Sequence, residues 1–475
     1  MSRVSAITEG RESSAGGRLP TPATRLSALD ASFLEVESPA AHMHVGWVAR
    51  FGRRPGRRSP TFAALQEHIA GRLPVAPRYR QRLVSVPWAV HDPLWIDDPE
   101  FLIERHVLAA GSSDVREVTD DVMSRPLARD RALWEMWIAD DVEGDGFSLV
   151  GKAHHCMVDG LAAVELGMLL LDPVRDVAPR TPDPWRADPA PAPAGLLGNA
   201  VLDRVGEQVK MVGDLLRLSR SPRRLLSLPS GAIRLGRALT HSLLPVARPS
   251  ALNTPSSAAR HLATVRRPLE DLKRIKAHHR TTVNDVMLAA VAGGLRGFLA
   301  ERGDATDSLK AMVPVSVRTE AARGELGNRI AFMFTELPCA EPDPLARLMA
   351  IHRATAQSKS TGEPEGSDIA LRGLGHAPHT LQRLASHLVA SPRSFNLVVS
   401  NIPGPPQALY MLGCELEAVY PIVPLAEGHA LSIGMTTING QACFGLYADR
   451  EALPDVDRLG HHLDAALDEL LDLCS

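Results

Sequence analysis

Residue types suited to proton-transfer chemistry cluster at Lys152-Ala153-His154-His155-Cys156-Met157-Val158-Asp159-Gly160. A neutral imidazole, with an ordinary pKa near ~6.5, can take a proton from an alcohol or a thiol at neutral pH. Adjacent side chains on an extended strand point to opposite faces, so His154 and His155 do not readily share one substrate or chelate one metal. His155 stands four residues before Asp159, with a turn between them that can hold the ring at the mouth of a channel while Asp159 faces inward. On spacing alone, a pair of core or capping histidines fits equally well.

The elements around this stretch place it at a strand-to-helix junction. Phe147 to Ala153 is short, mostly apolar and bounded upstream by Gly144-Asp145-Gly146, which predicts a buried strand. Gly160 to Leu171 carries apolar residues at helical spacing, with Asp159 as N-cap or first-turn anion. Upstream, Met136 to Val142 predicts a strand that forms a hairpin with Phe147–Ala153. His42 to Phe51 reads as a further strand and Pro60 to Leu73 as a helix; the arginines around Tyr79 read as a solvated face.

The second half repeats an α/β pattern. Strands are expected at His261–Arg266, Ala311–Val317, Asn328–Glu336 and Phe395–Asn401, with helices at Leu269–His279, Thr282–Leu299, Leu345–Ser358, Leu371–Ala390 and Leu459–Leu473. Asn284 and Asp285 open the second of these helices, where either can serve as a cap. Asn401-Ile402-Pro403-Gly404-Pro405-Pro406 is a rigid turn. Leu431–Ile438 and Gln441–Tyr447 form a hairpin around Asn439-Gly440.

Composition narrows the class. The 475 residues are 45% hydrophobic and 23% charged, ordinary for a globular protein and long enough for two domains. With 52 Lys plus Arg against 55 Asp plus Glu, the net charge of -3 provides no global attraction to nucleic acid. The five cysteines contain no CxxC pair, which argues against a zinc site or a disulfide scaffold and fits a reducing cytoplasm. There is no signal-peptide pattern and no uncharged apolar run approaching ~18 residues.

Boundaries follow from local composition. Residues 1–24 read as a disordered leader and 25–171 as a first lobe. Residues 172–250 join a linker, with seven prolines between Asp172 and Gly195, to a basic amphipathic segment; residues 251–475 form a second lobe. Leu215 to Arg248 has seven arginines and no acid among its leucines, a pattern that suits either an anionic lipid surface or a crossover helix packed between lobes.

Four separated stretches agree with one family. His154-His155-Cys156-Met157-Val158-Asp159-Gly160 matches HHxxxDG, Pro126-Leu127 through Leu133-Trp134-Glu135 resembles a PL…PLWE segment, Asn284-Asp285 an ND segment, and Ser400-Asn401-Ile402-Pro403-Gly404-Pro405 an SNxPGP turn. From about Leu26 to Leu473 the chain resembles the bacterial wax ester synthase/acyl-CoA:diacylglycerol acyltransferase family.

The resemblance implies an α/β fold of two chloramphenicol acetyltransferase-like lobes, each a mixed sheet with flanking helices, and an active-site channel between them. It implies an O-acyltransferase that moves a long-chain acyl group from acyl-CoA to diacylglycerol or a long-chain alcohol, with no cofactor and no metal. The catalytic base then falls on His155, with His154 in support and Asp159 orienting the loop through a charge pair. Gly160, Asn284, Asp285, Ser400 and Asn401 are expected to bind substrate or shape the site. Of these, Asn284 is the leading candidate to stabilise the oxyanion, and Ser400 and Asn401 can instead hold the turn that shapes the site. Cys156 is not needed as a nucleophile. The expected location is cytoplasmic, peripheral on the inner membrane or on lipid droplets, with no nucleic-acid partner. Two other readings share the pattern: a condensation-type acyltransferase fed by a carrier-protein thioester, and an inactive lipid-surface binding protein.

Overall fold

In a computed structural model of the chain, the described residues are 23–54, 56, 58–140, 146–157, 167, 169–178, 180, 184–192, 194–198, 200–203, 206, 246–316, 330–360 and 379–474. The first part of the chain supplies β1 (Thr24–Arg25), α1 (Ala28–Glu35), β2 (His44–Gly52), α2 (Phe62–Arg72), β3 (Gln81–Val84), β4 (Leu94–Asp97), β5 (Val107–Ala109), α3 (Val115–Ser124), β6 (Trp134–Asp140) and β7 (Gly146–His154). The second part begins with β8 (Arg260–Pro268), α4 (Leu269–His279), α5 (Val283–Glu301), β9 (Leu309–Ser316), β10 (Ile330–Leu337), α6 (Pro344–Ser360) and α7 (His379–Val389). It ends with β11 (Leu397–Pro403), β12 (Tyr410–Met411), β13 (Cys414–Ile422), β14 (Leu431–Ile438), β15 (Gln441–Asp449) and α8 (Val456–Asp472).

Two six-stranded mixed sheets carry the two lobes, in the orders β12-β13-β2-β7-β6-β5 and β10-β9-β11-β14-β15-β8, and a small sheet β1-β4-β3 flanks the first. In the first sheet β2 and β7 pair antiparallel from His44↔His154 to Gly52↔Gly146, so the histidines end a fully paired strand. Trp47 lies over Gly151 of β7, where any Cβ would collide with the indole ring.

Lobe membership does not follow chain order. β13 belongs by sequence to the stretch expected as the second lobe, yet it pairs with β2 from Leu416↔Phe51 to Ile422↔Gly46 and completes the first sheet. Its alternation of Leu416, Ala418, Tyr420 and Ile422 with polar Glu415 and Glu417 is a strand signal that the sequence reading passed over. The proline-rich stretch is likewise anchored where described: Trp185 Nε1 donates to Asp98 O at 2.8 Å and Asp188 N to Asp97 Oδ2 at 3.2 Å.

In the second lobe α5 is capped by Thr282 and Asp285, which satisfy each other's backbone N–H. By length and composition α5 could cross a membrane, but most of it is buried, packed on α8 and α6. The expected hairpin between β14 and β15 turns on Asn439 and Gly440, both with positive φ, as a two-residue type I′ turn requires. Leu371–Pro378 of one expected helix, the expected helix after Gly160 up to Leu166, and Leu215–Pro245 of the basic segment lie outside the described residues.

Three groups tie the lobes together across α3 and β8. His261 of β8 lies between Asp120 of α3 at 2.6 Å and Asp457 of α8 at 2.9 Å. The Leu262 N–H donates to Asp120 Oδ1, and the Arg260 N–H to Ser124 Oγ.

Candidate active site

At the end of β7 the chain turns, and the turn orients the two rings oppositely. His154 is fully buried; its N–H donates to Leu133 O at 2.9 Å and its carbonyl accepts from Met157 N at 2.9 Å. The Cys156 N–H donates to His154 Nδ1 at 3.1 Å, so the neutral ring carries its proton on Nε2, which faces Glu37 Oε1 at 3.6 Å. Glu37 is paired with Arg129. Burial, and then the nearby Arg129 charge, push the His154 pKa down to about 3, so this ring is a fixed neutral brace for the turn.

His155 has another setting. Its N–H donates to Met43 O at 3.0 Å, and its ring stacks on Phe33 of α1, centroids 3.7 Å apart and 16° from parallel. Met43 adopts a left-handed backbone (φ 49°), uncommon for a bulky residue and of the kind that clusters at functional sites. Nδ1 is buried and meets no other described residue; the group that pulls its pKa upward is the histidine's own backbone. Burial dominates and lowers the His155 pKa to about 4.

Two partly open cavities, each spanning about 1140 Å³ with the space open to solvent included, adjoin this ring. Both are lined by His155, Pro314, Val423 and Pro424. The first continues past Trp47, Phe51, Leu149 and Leu416; the second passes Phe33, Met43, Phe332, Phe395 and the inner face of α7. Both are overwhelmingly apolar, as sites for lipid chains are.

The second-lobe sheet supplies the facing wall. On β11 alternate residues face the same way, and Val398 lines the second cavity while Ser400 and Ile402 line the first. Two hydroxyls line the first cavity. Thr436 donates its proton to Ile402 O at 2.7 Å, whereas Ser400 Oγ has no hydrogen bond among the described residues. Asn401, on the opposite face, has a buried Oδ1 without a partner.

The expectations for Asn284 and Asp285 change. Asn284 sits half-buried in the first turn of α5 and lines neither cavity. Asp285 is fully buried: it accepts from Thr282 N at 3.0 Å and Thr355 Oγ1 at 2.7 Å, and meets His352 Nδ1 at 2.8 Å. It fastens α5 to α6. Asp159 and Gly160 lie outside the described residues. Arg78 and Arg129 both bear electrostatically on Cys156, and Arg78 Nη1 is buried without a partner. Burial raises the Cys156 thiol far above its usual range, so it stays protonated. Among the described residues no group of His, Cys, Asp and Glu could hold a metal ion.

The sequence reading missed Phe33, Met43 and the Pro421–Pro424 wall. Phe33 belongs to none of the motifs, and no periodicity marks a ring that stacks on a histidine distant in sequence.

Comparison with known proteins agrees over nearly the whole chain. Residues 26–287 match the wax ester synthase/diacylglycerol acyltransferase catalytic domain, and residues 326–471 the WS/DGAT C-terminal domain. The probable diacylglycerol O-acyltransferase tgs2 of Mycobacterium tuberculosis is 30% identical over 454 residues, covering 93% of this chain and 97% of that protein. The wax ester synthase/diacylglycerol acyltransferase of Marinobacter aquaeolei VT8 has a similar fold, with TM-score 0.69, 24% identity, and coverage of 95% of this chain and 99% of that one. The first condensation domain of the CDA synthetase also shares the fold, with TM-score 0.58, 13% identity, and coverage of 96% and 98%.

Proposed function

The chain belongs to the wax ester synthase/diacylglycerol acyltransferase family, and from that membership we propose that it transfers a long-chain fatty acyl group from acyl-CoA to the hydroxyl of diacylglycerol or of a long-chain alcohol. It is an O-acyltransferase with acyl-CoA as co-substrate, and the steps below call on no cofactor. The observation that carries the reading is that His155 borders two large apolar cavities at once. One cavity can hold the acyl chain and the other the apolar body of the acceptor, which brings thioester and hydroxyl together at the ring.

His155 Nε2 takes the proton of the acceptor hydroxyl as its oxygen attacks the thioester carbonyl carbon. The tetrahedral intermediate then expels the CoA thiolate, which receives the same proton from the imidazolium. His154 braces the turn; for Asp159 and Gly160, outside the described residues, the family motif alone supports a part in shaping the loop. The oxyanion requires a donor in a site without water; Ser400, with its uncommitted hydroxyl on the channel wall, fits that part, and Asn401 holds the turn behind it. Cys156, protonated and buried, contributes no nucleophile. On this reading the enzyme works at the inner membrane or a lipid-droplet surface, where its water-insoluble acceptors reside.

The test is incubation of the purified protein with labelled palmitoyl-CoA and either diolein or hexadecanol, followed by separation of neutral lipids. Labelled triacylglycerol or wax ester is expected, with free CoA released in step. His155→Ala should lower turnover by roughly 10²–10⁴-fold, the usual worth of a general base, while the fold persists. A folded His155→Ala protein with near wild-type turnover, or a strict need for a phosphopantetheinylated carrier protein as acyl donor, would refute the reading.

A further inference from the structure

Helix α7 has three faces with different surroundings. At ~100° per residue, Ala385, Ser386, Val389 and Ala390 share the side that lines the second cavity. Leu384 and Leu388, one turn apart, are turned away from it and are 57% and 54% exposed. Arg383 and His387 stand on the remaining edge, both exposed.

Neighbouring groups extend this surface. The Ala247 N–H donates to Arg393 O at 2.8 Å, which places Val246, 52% exposed, next to the exposed Arg393. Between His379 and Asn396 the sequence contains no aspartate or glutamate. Arg383 meets Glu35 of α1 at 3.2 Å, which ties α7 to the other helix at the cavity wall. An exposed leucine pair with Arg383 and Arg393 beside it suits a lipid surface with anionic headgroups, and here the same helix walls a cavity that ends at His155.

Resting on the acyl-transfer reading above, we propose that α7 docks the enzyme on an anionic lipid surface through Leu384 and Leu388 and that the second cavity, directly behind it, is the entry for the lipid acceptor. The first cavity is then left to the acyl chain. Docking places the mouth of the second cavity against the bilayer, so the acceptor moves from lipid to His155 without crossing water.

The test compares the wild-type full chain with Leu384→Asp/Leu388→Asp and, as a milder variant, Leu384→Gln/Leu388→Gln. Neither residue lines a cavity, and thermal melts check that both variants fold. Binding is read by flotation with phosphatidylcholine vesicles with and without phosphatidylglycerol. Transfer from palmitoyl-CoA is read with diolein in the same vesicles and, separately, with water-soluble hexanol. Wild type should float with the anionic vesicles. The Asp variant should lose at least about tenfold in binding, as expected when two half-exposed leucines are withdrawn from an apolar environment. Its transfer to vesicle diolein should fall on the same scale while transfer to hexanol is unchanged, with the Gln variant intermediate.

Unchanged flotation, equal losses on both acceptors, or a wild-type dimer that the variants dissolve would each overturn the proposal. If wild type makes no ester at all yet floats and the Asp variant does not, the acyl-transfer reading fails and the docking surface stands.

Discussion

On the proposed reading, His155 is a base kept neutral by burial rather than by a charged partner. Its pKa, lowered to about 4 by burial, fixes the pH behaviour: the unprotonated, active ring persists down to that value, and activity is lost only as pH falls through it. We therefore expect kcat/KM to be flat from pH 8 to about 5 and to fall with unit slope below about 4, measured with a donor and acceptor that do not themselves titrate there. An inflection near ~6.5 would mean a solvated ring of ordinary basicity. The same burial sets the roles of its neighbours. His154, held neutral at about 3, spends Nδ1 on the Cys156 N–H, so its contribution is geometry.

At the scale of elements, β11 places Ser400, the hydroxyl on the first cavity's wall that has no hydrogen bond among the described residues. Ser400→Ala should lower kcat by roughly 10²–10³-fold, the cost of an oxyanion donor, with KM for palmitoyl-CoA little changed; a loss confined to KM would make Ser400 a ground-state contact. The reading of sequence went far at this scale because strands and helices with clean periodicity announce themselves. Leu269–His279 is a helix over the expected residues, and the Asn439-Gly440 hairpin turns where its two residues demand. Asn284 lines neither cavity, and proximity in the motif does not say which way a helix's first turn points. Its neighbour Asp285 is bound by Thr282, His352 and Thr355. The crossover of β13 was illegible for another reason: alternation reveals a strand but not its partner, and here the partner lies in the other half of the chain.

For the whole molecule, the channel exists only while the lobes stay together, and the Asp120–His261–Asp457 cluster is one fastening between them. Burial works against protonation of His261, yet its bonds to Asp120 and Asp457 outweigh that and raise its pKa; burial also raises Asp120. The His261 shift means that the folded protein holds this proton more tightly than the unfolded chain, so its stabilisation is complete below ~6.5 and is lost as pH rises through the folded-state value; the Asp120 shift acts in the same sense but is complete only below the free carboxylate value near ~3.9. His261→Ala should cost about 1–3 kcal/mol at pH 6, and the gap from wild type in denaturant unfolding should narrow by pH 8.5; a gap independent of pH would exclude the fastening. The crossover of β13 also has a consequence for synthesis. The strand that covers the β2 edge of the first sheet begins at Cys414, 259 residues after His155. At ~5–20 residues per second, the first sheet waits roughly ten to fifty seconds on the ribosome with an open β2 edge of the kind that templates aggregation. The amino-terminal half emerges first but cannot finish folding first, and its histidines acquire their cavity only when most of the chain has been made.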